Sequence, residues 1–344
     1  MSNRETQWLG LDVGGANLKA AHSGGTSRSV PFALWRDPED LANRLRQLVA
    51  EFPEFQSVAL TTTAELCDCF QSKAQGVLAV MKSVIQICEG KPLWIWGVDG
   101  RFHSPESIMK QPRIAAAANW VALATIAARK LSDECGLLID IGSTTTDLIP
   151  LLDGKVVSKA RTDTERLQSG ELVYAGVRRT PICALATSLP HRGRDTGLAA
   201  ELFATTLDVF LTLGDLQENA EDCDTADGKP ATIPEARNRL ARMVGADRED
   251  FSERDATDFA GEAHKVLIDR LVSSAIRVSE SLPKSPTVAL VSGSGEFLAR
   301  RVGARAFPGD FRIVALSEIW DQAASDAACA RALLDLVATE LPTT

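Results

Sequence analysis

The tightest constraint on this chain is a pattern that it uses twice. Leu9-Gly-Leu-Asp-Val-Gly-Gly-Ala-Asn-Leu-Lys-Ala-Ala21 and Leu137-Leu-Ile-Asp-Ile-Gly-Ser-Thr-Thr-Thr-Asp-Leu-Ile149 align without a gap. Each copy reads as a buried strand with an acid near its end, a glycine turn, and the second strand of a hairpin. A carboxylate inside an apolar strand is costly unless it is paired or solvated at a site. A turn of glycine and hydroxyl residues lets backbone N–H groups and hydroxyls converge on an anion. Asp12 falls on Asp140 and Gly14 on Gly142, while Asn17 and Lys19 stand where the second copy has Thr145 and Asp147. One such unit is only a hairpin with a glycine turn. Acid and glycine repeated in register point to a pair of phosphate loops. The candidate phosphate ligands are Gly14, Gly15, Asn17 and Lys19 in the first loop and Gly142, Ser143, Thr144 and Thr145 in the second. Asp12 and Asp140 are candidates to hold Mg2+ directly or through water.

The remaining motifs are weaker. The run Thr287-Val-Ala-Leu-Val-Ser-Gly-Ser-Gly-Glu296 reads as a buried strand, a third glycine turn and a helix start, and its Gly293 and Gly295 would let a nucleotide or phosphate approach the backbone. A strand at 57–63 runs into Thr61-Thr-Thr-Ala-Glu-Leu-Cys-Asp-Cys69, a candidate pocket rim with Thr62, Thr63 and Glu65. The same stretch also reads as a helix start capped by Thr63 with acids in its first turn. Asn119, on the apolar run 114–128, is either a satisfied core amide or a substrate contact. That run is too short for a membrane span and reads as a buried helix. Further helices are expected at 38–52, 74–88, 199–213, 234–244, 259–281 and 321–341. The acidic loop at 218–228 offers oxygen donors to a cation, or is simply solvated.

A chain of 344 residues suits two domains. A net charge of −9 argues against a nucleic-acid partner, and Arg178-Arg179 and Arg300-Arg301 are isolated basic pairs. The seven cysteines are irregularly spaced and no signal peptide precedes them, which suits a reducing cytoplasm. Cys67-Asp-Cys69 lacks a second Cys/His pair, so structural zinc is not expected.

Taken in order, Asp12-Val-Gly-Gly, Asp140-Ile-Gly-Ser and Ser292-Gly-Ser-Gly resemble the sugar-kinase, actin and heat-shock-chaperone superfamily. The resemblance implies an α/β, two-lobed actin/hexokinase-like fold, a duplicated ribonuclease-H-like sheet with a cleft between the lobes. The lobes would run over 1–132 and 133–320, the second with a helical insertion, and the helix of 321–344 would pack back on the first. Within that superfamily the chain is similar to the hydantoinase/oxoprolinase group, and to its branch associated with tetrahydromethanopterin-linked one-carbon metabolism. Gly10-Leu-Asp-Val-Gly-Gly-Ala-Asn-Leu-Lys19, the 61–70 stretch, Ala117-Ala-Asn-Trp120, Asp140-Ile-Gly-Ser-Thr-Thr-Thr-Asp147 and Tyr174-Ala-Gly-Val-Arg-Arg-Thr-Pro181 carry this likeness.

The archaeal member of that branch makes the ether bond of methanofuran, joining a furanmethylamine diphosphate to the phenol of γ-glutamyltyramine with release of diphosphate. The resemblance implies a cytoplasmic transferase with small-molecule diphosphate and phenolic substrates and no nucleic-acid or membrane partner. A homodimer is left open. Mg2+ would serve the diphosphate, and ATP is compatible with the scaffold without being required. A phenol has a pKa of about 10, so a base is needed, and Glu65 is the candidate if burial raises its pKa. Hydantoinase-type chains place a hydroxyl residue where this one has Ala16-Asn17, which argues against ordinary ATP hydrolysis. The alternatives are an ATP-dependent small-molecule kinase or amidohydrolase and a non-catalytic nucleotide-sensing protein.

Overall fold

The computed structural model describes residues 6–341. The first repeat folds as an antiparallel hairpin of β1 (Trp8–Val13) and β2 (Asn17–His22), with β3 (Ser27–Pro31) on its outer edge. Helix α1 (Leu41–Val49) then carries the chain to β4 (Ser57–Thr62), which pairs parallel with the other side of β1. Helix α2 (Lys73–Cys88) leads to β5 (Leu93–Trp96), parallel to β4, and β6 (Phe102–His103) completes the sheet. The strand order is β3-β2-β1-β4-β5-β6. Period-two alternation sets the faces. Leu9, Leu11, Val13, Val58, Leu60 and Ile95 share one buried core with Leu41 and Leu45 of α1 and Val77, Val80 and Val84 of α2.

Helices α3 (Pro105–Lys110) and α4 (Asn119–Lys130) precede the second repeat, β7 (Cys135–Ile141) and β8 (Thr146–Leu152). Asp153 and Gly154, both at positive φ, turn β8 into β9 (Lys155–Val156). Helix α5 (Asp163–Ser169) leads to β10 (Leu172–Val173), antiparallel to β8. The small hairpin of β11 (Ser188–His191) and β12 (Arg194–Gly197) follows, then α6 (Thr206–Leu213), α7 (Ile233–Arg242) and α8 (Glu253–Ser279). These share a separate core that includes Leu189, Val209, Leu240, Phe251 and Phe259. The chain ends through β13 (Val288–Ser292), α9 (Glu296–Ala306), β14 (Arg312–Ala315), α10 (Leu316–Ile319), α11 (Gln322–Asp326) and α12 (Ala328–Glu340).

The second sheet has the order β10-β8-β7-β13-β14. This is the succession of β3-β2-β1-β4-β5, so the duplication seen in the hairpins extends to whole sheets. The helix boundaries differ from those expected where caps intervene. A capping box of Ser252 and Asp255 starts α8 at Glu253, and one of Thr205 and Asp208 delays α6 to Thr206. The described chain divides into two compact units. One contains the residues up to Leu138, Ile149–Arg166 and those from Val314 on, and the other Ile139–Leu148 and Leu167–Ile313. The chain thus passes between units inside β7 and inside β8. No helix among the described residues is long and apolar enough to cross a membrane.

Within the first unit, α12 lies against β1 on the face opposite the main core. Ala327, Ala330 and Leu334 pack there on Ala21 and Trp8. A Cβ added at Gly10 would fall inside the carbonyl oxygen of Ala330. Gly10→Ala is therefore expected to cost about 1–3 kcal/mol by overpacking, read as a lower midpoint in denaturant unfolding. A variant as stable as its parent would show that the contact does not limit the approach of α12.

Candidate functional site

The two glycine loops close in the same way. The N–H of Gly14 donates to the carbonyl of Asn17 at 3.0 Å, and that of Gly142 to the carbonyl of Thr145 at 2.9 Å. In both loops a later segment then occupies the carbonyl edge. Leu34 and Phe32 donate their N–H groups to the carbonyls of Gly15 and Ala16, each at 3.0 Å. In the second loop Val177 donates to Gly142, and Arg178 and Arg179 both donate to Ser143, at 3.0, 3.0 and 2.9 Å. With the carbonyls held, the groups that each loop has to offer are amides and side chains. Ser143, Thr144 and Thr145 are half-exposed, as are Gly14, Gly15 and Asn17.

In the first unit, Asp12 is 3 % exposed and sits in register between Lys19 on β2 and Thr61 on β4. The end of β4 is sewn to the end of β1. The Thr62 hydroxyl donates to the carbonyl of Val13 at 2.9 Å and accepts from the N–H of Ala64 at 3.1 Å. Thr62 is thus committed inside the chain; Thr63 is the N-cap residue of the short turn at Ala64–Leu66, but its side chain makes no cap bond there, and the Ala64 N–H goes to Thr62. Thr63 faces the first loop, its Oγ1 3.6 Å from where a Cβ on Gly14 would be. Cys67 Sγ lies 2.7 Å from the corresponding point on Gly15, so the loop and the 62–67 turn are in close contact.

Glu65 follows on that turn, 2 % exposed. Neither carboxylate oxygen completes a hydrogen bond. Burial pushes its pKa up to about 7, with nearby Asp163 adding to the rise; its own amide, Lys73 and the amide of Ala117 pull the other way. Gly76 of α2 presses on the turn, because a Cβ there would be 2.5 Å from the Glu65 Cα. Lys73, at the start of α2, is held by Asp163 of α5 at 3.0 Å. Ala117 has a φ of 51°, a conformation that side-chain-bearing residues rarely adopt. Two residues on, the Asn119 Oδ1 accepts from the Trp120 N–H at 2.7 Å, and the Arg166 guanidinium lies 4.3 Å over the Trp120 ring. Local strain at Ala117 and the Lys73–Asp163 pair thus lie near a buried acid whose oxygens complete no hydrogen bond.

In the second unit, the Asp140 Oδ1 accepts from the Ser292 hydroxyl at 2.6 Å. Gly293 and Gly295 have packing reasons to be glycine. A Cβ on Gly293, at φ 90°, would lie 2.7 Å from the Asp140 Oδ1, and one on Gly295 would meet Ile141 and Val177 at 2.6 and 2.7 Å. Both pack closely against the strand that carries Asp140. The acidic loop at 218–228 is tied up by arginines. Asp222 pairs with Arg178 at 2.8 Å, and Asp227 with the buried Arg239 at 3.0 Å. Arg239 also holds the buried Asp208 at 2.7 Å. Among the described residues, no group of three or more His, Cys, Asp or Glu is placed to hold a metal ion. A magnesium ion is bound through one or two carboxylates with water and phosphate oxygens, and Asp140, half-buried beside the second loop, is a donor of that kind.

The sequence reading missed Lys73 and Asp163 near Glu65, and Arg178 and Arg179 on the second loop. The first two are brought together only by the packing of α5 near α2. The last two lay in view, in the motif at 174–181, but counted as an isolated basic pair.

A model of the hydantoinase/oxoprolinase family matches residues 56–308. A relative from Methanocaldococcus jannaschii, (4-{4-[2-(gamma-L-glutamylamino)ethyl]phenoxymethyl}furan-2-yl)methanamine synthase, is 33% identical over 291 residues, covering 84% of this chain and 86% of its own. The Methanococcus vannielii protein of the same name is 35% identical over 187 residues, 54% of this chain and 83% of its own. Among solved structures, nucleotide-free acetone carboxylase superposes with a TM-score of 0.54 at 10% identity, over 95% of this chain and 70% of that one. At that identity the likeness speaks for the fold, which is α/β and of the actin/hexokinase-like class. Matched by the family model over most of its length, and by a relative along 84% of it, the chain belongs to the hydantoinase/oxoprolinase family.

Proposed function

We propose that the chain is a transferase that forms an aryl–alkyl ether, joining the phenol of γ-glutamyltyramine to a furanmethylamine diphosphate with release of diphosphate. The two relatives' names describe a product with this phenoxymethyl link to a furan bearing a methanamine. The observation that carries the reading is Glu65, a buried carboxyl held near neutral pKa beside a phosphate-type loop. A phenol with a pKa of about 10 reacts poorly until its proton is taken. In this reading Glu65 accepts the phenol proton on a carboxylate oxygen. The phenol oxygen forms a bond to the furan methylene carbon, and the carbon–oxygen bond to the diphosphate breaks, its electron pair leaving with the diphosphate. The loop amides and hydroxyls hold phosphate oxygens, and Lys19 adds a cation to the first loop. Asp140, with Asp12 as its counterpart in the other repeat, is proposed as a carboxylate for Mg2+, which supplies charge neutralisation on the leaving group. A cytoplasmic setting follows from the same reading.

Purified protein is expected to form the ether from the diphosphate and the phenol with magnesium and without ATP, one diphosphate released per product. Turnover that requires ATP and yields ADP would replace this reading with the kinase or amidohydrolase one. Glu65→Gln and Asp140→Asn should each lower kcat by about 10²–10⁴, the range for loss of a positioned acid–base or charged group. The base must be ionised, so kcat/KM of the parent should fall as the pH drops below about 7, and this limb should vanish in any residual activity of Glu65→Gln.

The same shift predicts an effect on stability. The folded state holds a proton on Glu65 between the ordinary pKa of 4.5 and about 7, so stability falls as pH rises through that window. The full loss is about 3 kcal/mol. Glu65→Gln should therefore raise the Tm more at pH 8 than at pH 5. An equal change at both pH values would show that the carboxyl titrates normally.

A further inference from the structure

We infer that Arg178 and Arg179 contact the diphosphate at the second loop and supply the positive charge that the loop itself lacks. The inference rests on the diphosphate reading above and adds the residues that neutralise the anion. The hairpin β7–β8 carries no cation next to the loop. Asp147 stands where the first repeat has Lys19, and Asp140 adds a second carboxylate. A diphosphate placed on the Ser143–Thr145 groups would meet two negative side chains, so hydrogen bonds alone leave the charge poorly balanced.

The two arginines are pinned where that charge is needed. Both donate their backbone N–H to the Ser143 carbonyl, so their side chains originate directly beside the loop. The segment approaches that closely because residue 176 is glycine; a Cβ there would be 2.6 Å from the Thr144 nitrogen. It is also braced from behind. The Thr206 hydroxyl donates to the Gly176 carbonyl at 2.7 Å, the Gly176 N–H donates to Thr180 Oγ1 at 2.9 Å, and the Leu207 N–H donates to the Arg178 carbonyl at 3.2 Å.

Arg178 uses one terminal nitrogen on Asp222, with its side chain still 29% exposed. A guanidinium has five N–H donors in a planar fork, so the bond to Asp222 orients the group and leaves others for phosphate oxygens. Asp222 is itself fixed. Its carbonyl accepts from the Ala231 N–H at 2.8 Å and its Oδ1 from the Asp224 N–H at 3.1 Å. The acidic loop thus acts as a positioning element for Arg178, so that carboxylates sit close to an anion site in this reading.

The test is calorimetric titration of the full chain with inorganic diphosphate in the presence of magnesium. Arg178→Gln and Arg179→Gln should each weaken binding about tenfold or more, as expected for a lost charge-assisted contact. Asp222→Asn should weaken it less and add nothing to Arg178→Gln. Arg194→Gln, on the exposed β11–β12 hairpin, should leave it unchanged. In turnover, KM for the diphosphate substrate should rise while KM for the phenol does not. Gln variants that fold and bind diphosphate like the parent would overturn the inference, as would a parent that does not bind diphosphate. Should a Gln variant fail to fold, the Met variant decides: it keeps the aliphatic stem but loses the charge and the donors, so weaker binding supports the assignment and unchanged binding overturns it. Diphosphate binding that depends on both arginines in a protein that makes no ether would sink the proposed reaction and leave this inference standing.

Discussion

A loop presents amides to an anion best when its carbonyls are turned to other donors, because an inward-facing carbonyl would repel the charge that the amides attract. In both glycine loops most of the carbonyls are held in this way by a later segment of the chain. Phe32 and Leu34 hold the first loop, and residues 177–179 hold the second. The conformation of each loop is therefore not a property of its glycines alone. It depends on a second segment whose backbone N–H groups point at the turn and whose own shape is fixed by the helices and strands behind it.

Glu65 shows the opposite economy. A buried carboxyl without hydrogen bonds destabilises the fold, and the surroundings make the burial unavoidable. Gly76 leaves α2 no distance from the turn, and Thr62 ties the turn to β1 on the other side. Ala117 holds an unfavourable backbone conformation close by. Such arrangements persist where function requires them. The Lys73–Asp163 pair sits close enough to influence the carboxyl, yet Lys73 gives its hydrogen bond to Asp163, so Glu65 is left neither neutralised by a salt bridge nor free of one nearby.

Features governed by local chemistry were legible in the sequence. The two loops, their register and the strand–turn–strand form follow from residues within a dozen positions of each other. The expected α/β duplication is also present, down to strand order. What could not be read were partners separated by long stretches of chain. Gly293 and Gly295 read only as a glycine turn that a ligand could approach, because nothing in the sequence reveals that Ile141 packs on them. The acidic loop reads either as a cation site or as a solvated loop, and neither reading foresees its pairing with Arg178 and Arg239. Thr63 reads as the cap, whereas the bonds to the Val13 carbonyl and the Ala64 N–H are made by Thr62. Helix starts moved by several residues wherever a capping box outweighed the apolar period.

The seating of α12 on β1 bears on how the protein is made. A ribosome releases the first repeat early, and its sheet can gather its main core from α1 and α2 at once. The face that carries Gly10, Ala21 and Trp8 has to wait for Ala330 and Leu334, which follow the second repeat in the chain. Until then an apolar surface of the nascent first unit stays open to solvent and to other chains. Covering of the first sheet is thereby coupled to the synthesis of α12, and a chain that stops short of α12 leaves that face of β1 uncovered.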